Sequence, residues 1–166
     1  MELSWLTRPM AFVHVLSVLI FLLMHGVSAA VAWRLRSERD RTRIRTLLEL
    51  SGSFVDKGLA VFTVAFFSGI LAGIFGGYWT SGRLWIWASL VLVIVVGGLM
   101  TPFGRLHLNA IRTAVGLPVG KDPPPATEAS DEELARLLAS PKPLLVITLG
   151  ISGVVVLTWL MMAKPF

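Results

Sequence analysis

Two histidines, His14 and His25, stand eleven positions apart in a stretch that carries no charged side chain from residue 9 to residue 33. On a helix that spacing is about three turns, so both imidazoles should return to nearly the same face, each followed three residues later by a serine, Ser17 or Ser28. At about 1.5 Å per residue their depths differ by roughly 16 Å, too far for one shared metal ion. Three kinds of chemistry suit such a stripe. Neutral imidazoles can hydrogen-bond across helices to Ser, Thr or backbone groups. Each can instead ligate a haem iron at its own depth. A dimer or partner subunit must then supply the opposing ligands, because the remaining histidine, His107, falls in a basic connection. Finally, Met10 lies one turn before His14, and with Met161 or Met162 at the same expected end of the molecule these residues would form a soft copper(I) site.

The elements that must position these residues are membrane spans. Of the 166 residues, 55% are hydrophobic and only 15% charged, outside the usual balance of a soluble domain. A bilayer core of about 30 Å needs about 20 apolar residues in a helix. Four stretches qualify, at about 9–33, 59–79, 84–101 and 144–163. They leave no segment able to build a separate globular core, which excludes an attached enzyme domain. The absence of Cys excludes disulfides, thiolate metal sites and cysteine nucleophiles. The expected fold is an all-α bundle of four transmembrane helices in a single membrane domain over 1–166, with short interfacial helices in the connections at 34–58 and 102–143.

Orientation follows from the basic residues, since loops rich in Lys and Arg stay cytoplasmic. Of the fifteen, only Arg8, Arg83 and Lys164 lie outside those two connections. The expectation is N-out, C-out. Trp5, Tyr78, Trp79, Trp85, Trp87 and Trp159 cluster at the expected outer ends and Trp33 at the inner end of the first span, as the aromatic preference for the interface requires. A cleaved signal peptide is the rival reading of the first span. Retention is expected, because cleavage would strand the following arginines on the translocated side.

After the first span come Arg34, Arg36, Arg39, Arg41, Arg43 and Arg45. They predict a helix that continues from the span along the inner headgroup layer, its arginines on anionic phosphates and Glu38 paired with Arg41 or Thr42. Ser51, Gly52 and Ser53 should end it. No folded reader or interleaved aromatic set accompanies the arginines, so nucleic acid is not an expected partner. In the second connection, 103–115 either prolongs the third span or bends at Pro102 and Gly104. Residues 121–126 read as a polyproline linker. Ser130 then caps a short helix, with Glu133 completing a capping box, Leu134, Leu137 and Leu138 as its apolar side, and Pro141 and Pro143 ending it.

The spans themselves hold no Asp, Glu, Lys or Arg at depth, which weighs against a proton-coupled transporter. Ala65, Gly69, Gly73 and Gly77 recur every four residues along the second span. Such spacing lets another backbone approach closely, from within the chain or from a second copy. Gly97 with Gly98, and Gly150 with Gly153, offer further flat patches. No catalytic constellation or phosphate loop is present.

A histidine near the start of the first span, then His25-Gly26 with small residues, Trp33 and an arginine-rich stretch, resembles the bacterial membrane proteins grouped as domain-of-unknown-function family 2269. The resemblance implies a small prokaryotic inner-membrane protein with a four-helix core. A looser similarity connects the first helix to the copper-resistance D-type membrane domain, which would make His14 and His25 its ligands, although the histidines expected on other spans are missing. The sequence is thus read as a non-enzymatic, multi-pass plasma-membrane protein, a structural or accessory subunit or self-associating bundle in a homodimer or larger complex. The alternative is a haem- or copper-binding protein using His14 and His25, and a small-molecule or ion transporter comes third.

Overall fold

A computed structural model of the chain describes residues 4–80, 82–120 and 128–166, with the side chains of 56 and 101 excepted. After a single 3-10 turn at Ser4–Leu6 come five helices: α1 (Thr7–Leu35), α2 (Arg41–Phe75), α3 (Leu84–Ala114), α4 (Asp131–Ala139) and α5 (Lys142–Ala163). Four of the helical segments are long and apolar enough to cross a membrane. No strand occurs among the described residues.

The helices pack as two pairs, α1 along α2 and α3 along α5, with few approaches between the pairs. The pairs are joined at their ends. At the basic end, Val31 and Leu35 of α1 meet Ile44 and Leu48 of α2, Ile111 and Val115 at the close of α3, and Leu134 and Leu138 of α4 in one buried cluster. At the tryptophan end, Trp85, Ile86 and Leu160 form a second cluster beneath Tyr78 and Trp79. There the Trp85 amide donates to the Phe166 carbonyl at 3.2 Å, and the Lys164 ammonium lies over the Tyr78 and Trp85 rings. Between the ends the chain buries small or polar residues, among them Ser17, Ala65, Ser68, Gly150 and Gly153, while long aliphatic side chains face outward. That pattern suits helices whose outer surroundings are as apolar as their side chains, so that close approach at small residues replaces hydrophobic drive.

Three boundaries differ from the expectations. The helix does not run on from the first span through the arginines: α1 stops at Leu35 and a new helix starts at Arg41. The turn is built by carboxylates. Glu38 accepts the amides of Arg39 at 2.9 Å and Asp40 at 3.2 Å, and Asp40 accepts those of Thr42 and Arg43 as the N-cap of α2. Glu38 therefore serves the turn and the Arg34 guanidinium at 3.8 Å, rather than Arg41 or Thr42. Nor is there a break at Ser51, Gly52 and Ser53, where α2 continues without interruption. The bare face of Gly52 receives the Arg112 guanidinium, which donates to the Leu48 carbonyl at 2.9 Å. Finally, α2 ends at Phe75, four residues before the expected limit, in a Schellman turn. Gly77 at φ +65° supplies its left-handed residue, and the Tyr78 amide donates to the Gly73 carbonyl.

The third span is prolonged through Pro102 to Ala114 without a break. Ser130 caps α4 by accepting the Glu133 amide at 3.3 Å, while the Glu133 carboxylate turns to Arg136 instead of closing the box. The polyproline linker expected at 121–126 lies outside the described residues.

Candidate functional site

His14 sits in the first half of α1, on the face that meets α2. Its Nδ1 lies 2.7 Å from the Ala65 carbonyl oxygen, and since a carbonyl only accepts, Nδ1 carries the proton of this bond. The same carbonyl also receives the Ser68 hydroxyl at 3.1 Å. Gly69, one turn beyond Ala65, makes this contact sterically feasible: a Cβ there would stand 2.7 Å from His14 Nδ1 and 2.8 Å from its Cε1. Imidazole and small-residue face thus meet within the chain.

The four members of that face do different work. Ala65 and Gly69 accommodate His14. Gly73 accommodates Trp79, whose Nε1 would be 2.5 Å from an added Cβ and which donates to the Ile70 carbonyl at 3.2 Å. Gly77 is past the helix and forms its terminal turn.

His25 does not share the environment of His14. The residue is exposed at the surface of the chain, its ring stacks on Phe21 with centroids 5.4 Å apart, and it makes no hydrogen bond among the described residues. Its Nε2 lies 4.0 Å from the position a Gly150 Cβ would take, with the Met100 sulfur 3.1 Å from the same point. The expectation that both histidines face one neighbour therefore needs correction, because α2 covers α1 at His14 whereas α5 and α3 come alongside at His25. Met100 is the sulfur brought toward an imidazole, and nothing in its spacing from His25 could have signalled it. Met10 is half-buried, Met161 is exposed, and Met162 is 81% exposed at the end of α5. Among the described residues no group of three or more His, Asp or Glu side chains converges.

The six arginines of the basic end divide into two sets. Arg41 is turned inward: its Nε and Nη2 donate to Asp131 Oδ1 at 3.1 and 2.7 Å, and it also bonds the carbonyls of Ala114 and Ala129. Arg45 donates to the Val115 carbonyl at 2.6 Å and pairs with Glu128. These two tie the close of α3 and the start of α4 to α2, which departs from the expectation that all six meet lipid phosphates. Arg34, Arg39 and Arg43 are exposed and Arg36 is half-buried. The amides of Arg39 and Asp40 hold the Glu38 carboxyl below the ordinary carboxylate range, against the opposing cost of burial, with Arg43 and Arg34 helping.

Two further residues gave no sequence signal. Arg112 bridges α3 to α2 through Gly52. His107, on the prolonged part of α3, is buried with an Nε2 that has no hydrogen-bond partner among the described residues.

Comparison of the chain with family models, with curated proteins and with solved structures finds no match.

Proposed function

We propose that this chain is a non-enzymatic, multi-pass subunit of a prokaryotic plasma membrane, lying N-out and C-out, that works by association through the His25 face of its bundle. One observation carries the reading. His25 is near the middle of α1, exposed at the surface and without a hydrogen bond among the described residues, and Gly26 beside it has open space where a Cβ would be. In hydrocarbon an unsatisfied polar group costs several kcal/mol, so a face that exposes an imidazole at that depth is best explained by a polar group from another helix, in a second copy or a companion subunit. The test is a photo-crosslinking residue at position 26, activated in native membranes and compared with position 19, where Leu19 is also exposed. A defined protein adduct at 26 and lipid adducts at 19 are expected. Lipid adducts alone at both positions would defeat the reading.

A second reading is favoured by the tautomer of His14. An Nδ1 proton donated to a backbone carbonyl leaves Nε2 as the donor atom, the arrangement that orients ligating histidines. Haem or copper(I) would be the group held at His14, with a methionine as a further ligand of copper and His25, too far away to share it, as a second and separate site. Visible spectra and elemental analysis of protein purified without chelator decide this. A Soret band, or copper that disappears in His14→Ala, supports it, and a colourless, metal-free preparation from native membranes counts against it.

A further inference from the structure

We propose that the groove between the 36–40 turn and α4 is a binding site for one anionic phospholipid. Its phosphodiester would rest on Arg39 and its glycerol against exposed Ala135, beneath which Leu134 and Leu138 are buried. The groove has a volume of about 610 Å³ and is lined by those four residues with Arg41 and Asp131.

The charge in it is unbalanced in a specific way. Asp131 is the acid of the lining, and its Oδ1 is already held by two nitrogens of Arg41. Arg41 also donates to the carbonyls of Ala114 and Ala129 and pairs with Glu128 at 3.5 Å. Arg39 is left over. Its Nη1 donates to the carbonyls of Arg36 at 3.1 Å and Glu38 at 2.9 Å, which fixes the side chain, while its Nε and Nη2 make no hydrogen bond among the described residues. A guanidinium fixed by one nitrogen and open at the other two suits the paired acceptors of a phosphate.

Depth and polarity favour a lipid over a soluble phosphate. Leu35, the last residue of α1, packs in the same buried cluster as Leu134 and Leu138. Exposed Trp33 stands two residues earlier, roughly 3 Å back along the helix, the side chain that marks headgroup level. The groove therefore opens where the polar and apolar parts of a phospholipid meet. A soluble phosphate would use Arg39 alone and leave Ala135 uncovered.

The proposal rests on the basic end meeting a bilayer surface, but it does not require the N-out orientation or a partner protein. The test uses the full chain in nanodiscs of phosphatidylcholine with a rising fraction of phosphatidylglycerol in both leaflets, reading retained lipid by native mass spectrometry. One phosphatidylglycerol held per chain is expected, with about a fivefold loss of affinity in Arg39→Gln, the effect of one basic side chain at a membrane surface. Ala135→Glu, which places a carboxylate in the groove and leaves the 36–40 turn intact, should lose binding at least as strongly. Arg136→Gln, outside the groove, should bind as the parent does. Unchanged retention in Arg39→Gln and Ala135→Glu would overturn the proposal. So would equal losses in all three variants, the mark of a diffuse basic surface, or displacement of the lipid by millimolar inorganic phosphate.

Discussion

Gly69 leaves vacant the volume that the His14 ring fills, so that the imidazole can reach the Ala65 carbonyl one turn away. The two residues are 55 positions apart in sequence, and together they set how closely α1 approaches α2 at that depth. Gly69→Ala would place a methyl group 2.7 Å from His14 Nδ1 and force the ring or the helix to move. A loss of about 1–3 kcal/mol is expected, read as a lowered Tm in detergent. Gly98→Ala, on α3 where nothing lies within 4 Å, should be neutral or slightly stabilising in the same assay. If both variants melt with the parent, the close approach of His14 is not a source of stability.

Gly73→Leu acts on a different neighbour. The added side chain competes with the Trp79 indole and with Ile86, whose Cδ1 would be 2.9 Å from a Cβ at that position. We expect at least about 2 kcal/mol of destabilisation and a change in tryptophan emission, because Trp79 loses its bond to the Ile70 carbonyl. An unchanged melting temperature, emission spectrum and oligomeric state would show that the bundle tolerates a large residue there.

Arg41→Gln removes the ion pair with Asp131 and the charged donors to Ala114 and Ala129. The Arg41 side chain is only 25% exposed, so screening by water is partial. A cost of about 1.5–3 kcal/mol is expected, concentrated in α4. Hydrogen exchange is the measurement: the amides of α4 should lose protection while those of α1 and the apolar half of α2 keep theirs. Equal protection of α4 in parent and variant would mean that Leu134 and Leu138 hold it without help.

The Glu38 carboxyl links the 36–40 turn to pH. Its folded pKa lies below the unfolded one, so the native state binds fewer protons and the contribution to stability is fully present above the unfolded carboxyl pKa. It is lost as pH falls through the lowered folded value. Glu38→Gln should flatten that acid limb of the stability curve and leave the region near neutrality with the same slope. Parent and variant curves that stay parallel down the acid side would contradict the role given to this carboxylate.

The four spans were legible because uncharged apolar length depends on local sequence alone, and so was the start of α4, where Ser130 and its acidic successors state a cap directly. Helix ends at the basic side were harder. Ser51, Gly52 and Ser53 resemble a break, yet a glycine costs a helix only about 1 kcal/mol relative to alanine, and Arg112 bonding across it to Leu48 joins α2 to α3 there. Conversely, the turn at 36–40 contains no Gly or Pro, and its sign was Asp40 standing before Arg41, an N-cap hidden among arginines. At the candidate site, the spacing of His14 and His25 correctly placed both on α1 but could not say which helix would cover each. That depends on how α2 and α5 lie against α1, and so the approach of Met100 toward His25 had no counterpart in the sequence.

Helix α2 is 35 residues long without interruption, which makes it a rod of roughly 52 Å, well beyond a bilayer core of about 30 Å. One end of this rod is clasped by Arg41 to the start of α4 and by Arg45 to the close of α3 and to Glu128, and a point in the other half touches His14 through Ala65. A straight element held at two stations links them geometrically: the tilt of α2 that suits the His14 contact also fixes where Arg41 meets the start of α4.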